Sequence, residues 1–131
     1  MFLLDHVSIT VKNLGHCKAF YDAIMKALGA ERIYDNEEAI GFGVRCSAGD
    51  ETHTYLTVLS SSGATGDPRR HWCFKAMSRE TVRAFHAAGM AHGGEDDGAP
   101  GLRPHYHEYY FGAFLLDPEG NRVEAVCHRA E

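Results

Sequence analysis

The feature that most constrains this chain is an internal repeat. Shifted along itself by 65 residues, His6 falls on His71, Ala19-Phe20 on Ala84-Phe85, Ala23 on Ala88, Met25 on Met90 and Gly29 on Gly94. Asn13 meets Ser78, both good helix N-caps, while Lys18 meets Arg83 and Glu31 meets Asp96. The matches follow one plan of strand, cap, helix and glycine stop. The chain therefore reads as two copies of one module, each opening with a histidine on its first strand.

In the first copy, Val7, Ile9 and Val11 alternate with His6, Ser8 and Thr10, as a half-buried strand requires. Asn13 caps a helix whose Cys17, Phe20, Tyr21, Ile24 and Leu28 keep helical spacing, and Gly29 ends it. Three short strands are predicted at about 31–35, 39–45 and 52–59. The run from Ser60 to Pro68 has linker composition and separates a first module of about 1–60 from a second of about 69–131, within a single domain.

The second copy places His71, Cys73 and Lys75 on one strand face and Trp72, Phe74 and Ala76 on the other. Ser78 caps a helix carrying Val82, Phe85 and His86. The glycine-rich stretch from Gly93 to Gly101 reads as flexible, and the segment 105–116 should contain a strand. Asp117-Pro118-Glu119-Gly120-Asn121 is a reverse turn, because proline fixes φ and glycine takes the positive-φ position. A last strand, Arg122 to Cys127, puts Arg122, Glu124 and Val126 on one face. The fold expected is α+β: two βαβββ modules related by a pseudo-twofold, with helices on one face of open sheets and the polar faces lining a cup.

Several function classes lack support. A net charge of −5 with no basic cluster beyond Arg69-Arg70 offers no footprint for nucleic acid. No apolar run approaches the ~20 residues needed to span a bilayer, and Asp5 follows Met1-Phe2-Leu3-Leu4 too closely for a secretory leader. Cys17, Cys46, Cys73 and Cys127 are scattered without a CxxC pair, as expected of reduced thiols in a cytoplasmic protein.

On this face assignment His6, His71 and Glu124 all lie opposite the helix-packing residues. A strand glutamate in a closed cup is costly if unpaired. Two histidines and a carboxylate together form a donor set for non-haem Fe(II) or catalytic zinc with open positions. Aligning 55–59 with 122–126 puts Thr57 opposite Glu124, and threonine is a poor ligand, so three protein ligands are expected. Structural alternatives stand beside this: a strand-start histidine is often hydrogen-bonded scaffolding, and Glu124 could pair with Arg122 or Lys75. Cys73 reads as a small filler near the cup, and His16, His53, His86, His92 and His128 as surface or helix-packing residues. His105, His107, Tyr109 and Tyr110 suit either a loop over a pocket or a hairpin edge with aromatic pairs.

At these residues the chain resembles the vicinal oxygen chelate superfamily, which includes glyoxalase I, extradiol dioxygenases and fosfomycin- and bleomycin-resistance proteins. Asp5-His6-Val7, Ala19-Phe20-Tyr21 and Leu28-Gly29-Ala30 match its opening. Arg70-His71-Trp72-Cys73-Phe74 stands where its second histidine strand begins, and the run from Asp117 to Glu124 looks like its closing hairpin. The resemblance implies paired βαβββ modules in a homodimer and a divalent metal (Zn, Fe, Ni or Mn) held by His6, His71 and Glu124. It also implies a small substrate chelating through adjacent oxygens. Thr57 replaces the fourth ligand of typical glyoxalase I, which argues against methylglyoxal isomerisation. Phe114 stands where extradiol dioxygenases carry an acid-base tyrosine, leaving Tyr110 or His107, with Glu124, as candidate catalytic groups. The expected activity is isomerase, lyase or dioxygenase chemistry. The alternative is a non-catalytic binding protein of the bleomycin-resistance kind.

Overall fold

Asn13 and Ser78 both cap helices. The Asn13 side chain accepts a hydrogen bond from the His16 amide (3.0 Å) and the Ser78 hydroxyl one from the Thr81 amide (3.1 Å). The computed structural model describes residues 3–131, so Met1-Phe2, the start of the leader reading, lies outside it. The first module runs β1 (His6–Val11), α1 (Leu14–Leu28), β2 (Arg32–Asp35), β3 (Ala39–Val44) and β4 (Thr54–Ser60). The second runs β5 (His71–Lys75), α2 (Arg79–Ala91), β6 (Glu95–Leu102), β7 (Phe111–Leu116) and β8 (Arg122–Cys127). Each forms an open four-stranded sheet, ordered β1-β4-β3-β2 and β5-β8-β7-β6, with the first and last strands of each module parallel. This is the expected α+β pair of βαβββ modules.

Two local expectations are corrected. The glycine stop of α2 falls at Gly93 (φ 92°), not Gly94: the Gly94 amide closes onto the Gly89 carbonyl just as the Ala30 amide closes onto Met25 after α1. Relative to the repeat, α2 ends two residues early, with 13 residues against 15 in α1, and its positive-φ glycine falls one residue early. The stretch expected to be flexible contains β6 instead. It is an edge strand, so Pro100 withholds no ladder hydrogen bond that a second neighbour needs. Its register shifts around Gly98 (φ 156°), which lies close against the Phe114 ring.

One core joins the modules. Phe20, Tyr21 and Ile24 of α1, Val82 and Phe85 of α2, Ile9, Val11, Ile40 and Val58 of the first sheet and Ala113, Leu115, Val123 and Ala125 of the second are all buried in it. The helices pack on each other, and each covers one face of its own sheet. They meet at Gly89, where a Cβ would run into Leu115, Phe20 and Ile24. The turn 117–121 forms a second seam. Buried Asp117 accepts hydrogen bonds from the Tyr21 hydroxyl (2.5 Å), the Glu119 and Asn121 amides and the Asn121 side chain. Glu119 accepts from the Lys12 and Asn13 amides at the start of α1 (2.6 and 2.8 Å). Burial raises Tyr21 well above the ordinary phenol value, and the Asp117 carboxylate adds to it. Burial works against ionised Glu119, but those two amides outweigh it and lower its carboxyl.

Gly→Ala in a helix interior ordinarily stabilises by about 1 kcal/mol. Gly89→Ala should instead destabilise by about 1–3 kcal/mol through overpacking, read from urea unfolding; a gain in stability would mean that the helices do not meet there. Tyr21→Phe should cost about 1.5–3 kcal/mol, the range for a hydrogen bond to a charged group. A loss within experimental error would remove the 117–121 turn as an anchor between modules.

Candidate functional site

The sheet registers place the polar face residues. In the second sheet Cys73 and Phe114 flank Glu124 on neighbouring strands, and His71 pairs with Arg122. In the first, Ser8 and Gly41 flank Thr57, and His6 pairs with Tyr55. Thr57 therefore holds the place of Glu124, as the repeat predicts.

Glu124 is 2% exposed on a face without apolar cover from a helix. Its Oε1 accepts a hydrogen bond from the Tyr110 hydroxyl, and its Oε2 lies 3.5 Å from His71 Nε2. The pairing with Arg122 weighed from sequence does not form; Arg122 goes to Asp97 (2.7 Å). Burial and the Glu124 carboxylate push the Tyr110 phenol up, so it keeps its proton and acts as a donor. Its ring passes over Gly112, where a Cβ would sit 3.1 Å from Tyr110 and 3.3 Å from Glu124. The first module makes a similar contact at a non-equivalent position, since Gly41 pairs with Thr57 whereas Glu124 pairs with Phe114. The Tyr34 ring covers Gly41, where a Cβ would collide with it, and the Tyr34 hydroxyl is hydrogen-bonded to Thr57.

The structure brings His71, Glu124 and Tyr110 together. His107 stands one step away: its Nδ1 accepts from the Tyr109 amide (3.1 Å), its Nε2 meets His128 Nδ1 (2.9 Å), and its ring packs edge-on against Tyr110. His128, read from sequence as a surface residue, thus belongs to this cluster. His6 is on the other sheet, with its side chain half exposed. Its Nδ1 faces Asp5 Oδ1 at 2.5 Å, and its ring stacks on Tyr55 at 4.8 Å. The other oxygen of Asp5 pairs with His53. The hydrogen bonds from His6 and His53 hold the Asp5 carboxyl below the ordinary carboxylate value, and Asp5 in turn raises His53. Sequence reasoning missed Asp5 and His53 as a unit. The β1–β4 register, which brings the residues before Tyr55 beside those before His6, is the signal that would have shown it. Among the described residues of one chain, no three His, Cys, Asp or Glu side chains gather to hold a metal ion.

An open cleft of about 450 Å³ runs beside His71, lined by Ser8, Thr10, Arg69, Arg70, Asn121 and Arg122 among others. It gives the polar face a route to solvent next to the His71–Glu124 pair.

With this fold and layout in place, comparison with known proteins assigns the class. Residues 3–125 match the model of the Glyoxalase/Bleomycin resistance protein/Dioxygenase superfamily, and the chain belongs to that superfamily. Among solved structures it is similar to a glyoxalase/bleomycin resistance protein from Albidiferax ferrireducens, with 29% identity over 94% of this chain and 96% of that one and a TM-score of 0.77. A fosfomycin resistance protein from Listeria monocytogenes, complexed with Mn(II) and dihydroxypropylphosphonic acid, shares the fold. It has a TM-score of 0.66 and 20% identity over 100% of this chain and 94% of that one. So does a lactoylglutathione lyase from Agrobacterium tumefaciens, with a TM-score of 0.63 and 18% identity over 95% and 92%. No curated protein matches the sequence.

Cys73, on β5, is the neighbour of Glu124. Its sulfur lies against Glu124 and Tyr110, and desolvation with the Glu124 charge pushes the thiol up to about 12. At pH 8 its thiolate fraction is then on the order of 1 in 10,000. Iodoacetamide should therefore label exposed Cys46 well before Cys73, and Glu124→Gln should speed labelling of Cys73. Equal rates at Cys46 and Cys73 in the parent protein would contradict the raised thiol.

Proposed function

We propose that the protein is a divalent-metal enzyme acting on a small substrate that presents two adjacent oxygens. His71 and Glu124 of one subunit, with His6 of a second copy, would be the ligands of the ion. The observation that carries this reading is the buried Glu124, held by Tyr110 through one oxygen while the other faces His71 Nε2 at 3.5 Å. Two donors on one tetrahedral zinc-like ion at about 2.0–2.2 Å stand about 3.3–3.6 Å apart, so this pair has the spacing of co-ligands. His6 suits the third place by chemistry, since a ligating imidazole commonly donates its other N–H to a carboxylate, here Asp5.

His6 stands on a separate sheet and, among the described residues of one chain, does not gather with the His71–Glu124 pair. The two helices and the shared core fill the space behind both sheets. A homodimer that sets the polar face of one first module against that of the other second module completes the set, and a homodimer is accordingly part of the proposal. Four unpaired cysteines fit a reducing compartment such as the cytoplasm.

When bound, the ion would supply Lewis-acid polarisation of the two substrate oxygens and stabilisation of the charge that develops on them. The chain's own groups do the rest. Tyr110 orients Glu124 and, with its proton held firmly, serves as a donor rather than a base. His107 and His128 buttress the Tyr110 ring from the solvent side and offer the nearest imidazoles for proton exchange. Thr57, engaged by Tyr34, leaves the set at three protein ligands. Such a set suits an isomerase or lyase and, with iron, a dioxygenase. The Mn(II) and vicinal diol bound by the fosfomycin-resistance relative are consistent with that chemistry.

Elemental analysis of tag-free protein, purified without chelator, tests this directly. Near-stoichiometric zinc, manganese, nickel or iron is expected in the parent and at most about a tenth of that in His71→Ala. A parent that contains none, and takes up none when reconstituted under reducing conditions, would refute the metal enzyme. The alternative would then be a binding protein using the same cup without turnover.

A further inference from the structure

We propose that Asp5 and His53 are positioning residues for His6: their hydrogen-bonded chain fixes the His6 tautomer and leaves Nε2 as the outward-facing donor. The inference rests on the proposed role of His6 as a ligand, but its first readout needs no metal.

The argument is an accounting of protons. His53 Nδ1 faces the Asp50 carbonyl oxygen at 2.9 Å, and a carbonyl can only accept, so that nitrogen carries hydrogen. His53 Nε2 faces Asp5 Oδ2, and His6 Nδ1 faces Asp5 Oδ1 at 2.5 Å. An ionised carboxylate can only accept at both oxygens, so His53 Nε2 and His6 Nδ1 each carry a proton as well. This leaves His6 Nε2 with its lone pair free, the form a metal ligand needs and the reverse of what an unconstrained histidine prefers. Tyr55 stacks on the face of the same ring at 8° between planes, so both rotation and tautomer are set.

The chain is local to one sheet end. Asp5 precedes β1, His53 precedes β4, and the parallel register of those strands, together with the Tyr55 amide bonded to the Asp5 carbonyl, holds the ends together. His53 is the anchored member, its side chain 12% exposed against 58% for Asp5. A surface ion pair alone would not need a third group. Here the carboxylate spans two imidazoles, and the far one is tied to backbone.

The test is long-range proton–nitrogen NMR of the 15N-labelled, metal-free parent at pH 7.5, with His6→Gln and His53→Gln used to assign the imidazole signals. The expected spectrum shows the neutral form of His6 with its proton on Nδ1. In Asp5→Asn, His6 should move towards the Nε2–H form. Zn²⁺ affinity by calorimetry should fall 10–100-fold in Asp5→Asn and more modestly in His53→Gln, with thermal unfolding little changed. A parent His6 protonated at Nε2, or an Asp5→Asn variant with unchanged tautomer and unchanged Zn²⁺ affinity, overturns the proposal. If the tautomers are as expected but the parent binds no Zn²⁺, the positioning chain stands and the metal reading falls. If Zn²⁺ binds and His6→Gln abolishes it while Asp5→Asn alters neither readout, the metal reading stands and this inference falls.

Discussion

The structure depends on the way one turn of the second module is bound to the first helix of the other. Asp117 is buried beneath Tyr21 and saturated by four donors, and Glu119 accepts the two amides at the start of α1. Removing such a carboxylate from water is tolerable only because every lone pair is answered. With the seam closed, α1 and α2 are pressed together at Gly89, and both sheets turn their apolar faces to one core. The polar faces are then left on the sides of the sheets away from that core. Among the described residues of one chain, His6 is engaged by Asp5 and does not gather with His71 and Glu124.

Both polar faces set a tyrosine ring over a glycine, but from different places: Tyr34 on β2 lies over its register partner Gly41, whereas Tyr110 precedes β7, the strand that carries Gly112. A glycine on the middle strand makes room for a tyrosine ring lying across the sheet, and the tyrosine hydroxyl reaches the residue one strand over. In the first module these are Gly41, Tyr34 and Thr57, and in the second Gly112, Tyr110 and Glu124. A hydroxyl pair is electrically quiet. A phenol–carboxylate pair holds a charge in place and directs one of its oxygens outwards. The repeat sets Thr57 and Glu124 at the same place in the two sheets, and that single difference decides which copy carries a buried carboxylate.

Much of this was legible from the residues. Alternation along 6–11 and 122–127, the caps Asn13 and Ser78 and the turn at Pro118-Glu119-Gly120 each have a local physical cause, so each reads correctly without tertiary context. The Thr57–Glu124 equivalence followed from the repeat and is met by the strand registers. What escaped has tertiary causes. Strand β6 looks like a loop because glycine and proline dominate it, and only its edge position beside Phe111–Leu116 makes it a strand. His128 is exposed, as its sequence suggests, but the pairings of His53 with Asp5 and of His128 with His107 span 48 and 21 positions and do not show in sequence. The inter-module role of the turn depends on Tyr21, 96 residues from Asp117, which a reading of either segment alone does not connect.

The central claim is that one metal site is assembled from two copies of the chain. Differently tagged His6→Ala and Glu124→Ala chains, co-expressed and isolated as the mixed dimer through both tags, test it directly. Each homodimeric variant should be metal-free. The mixed dimer has one site carrying both substitutions and one carrying neither, so it should hold about half the metal of the parent dimer. A mixed dimer as empty as the two variants, beside a parent that binds metal, would show that His6 and Glu124 meet within one chain and would contradict the account.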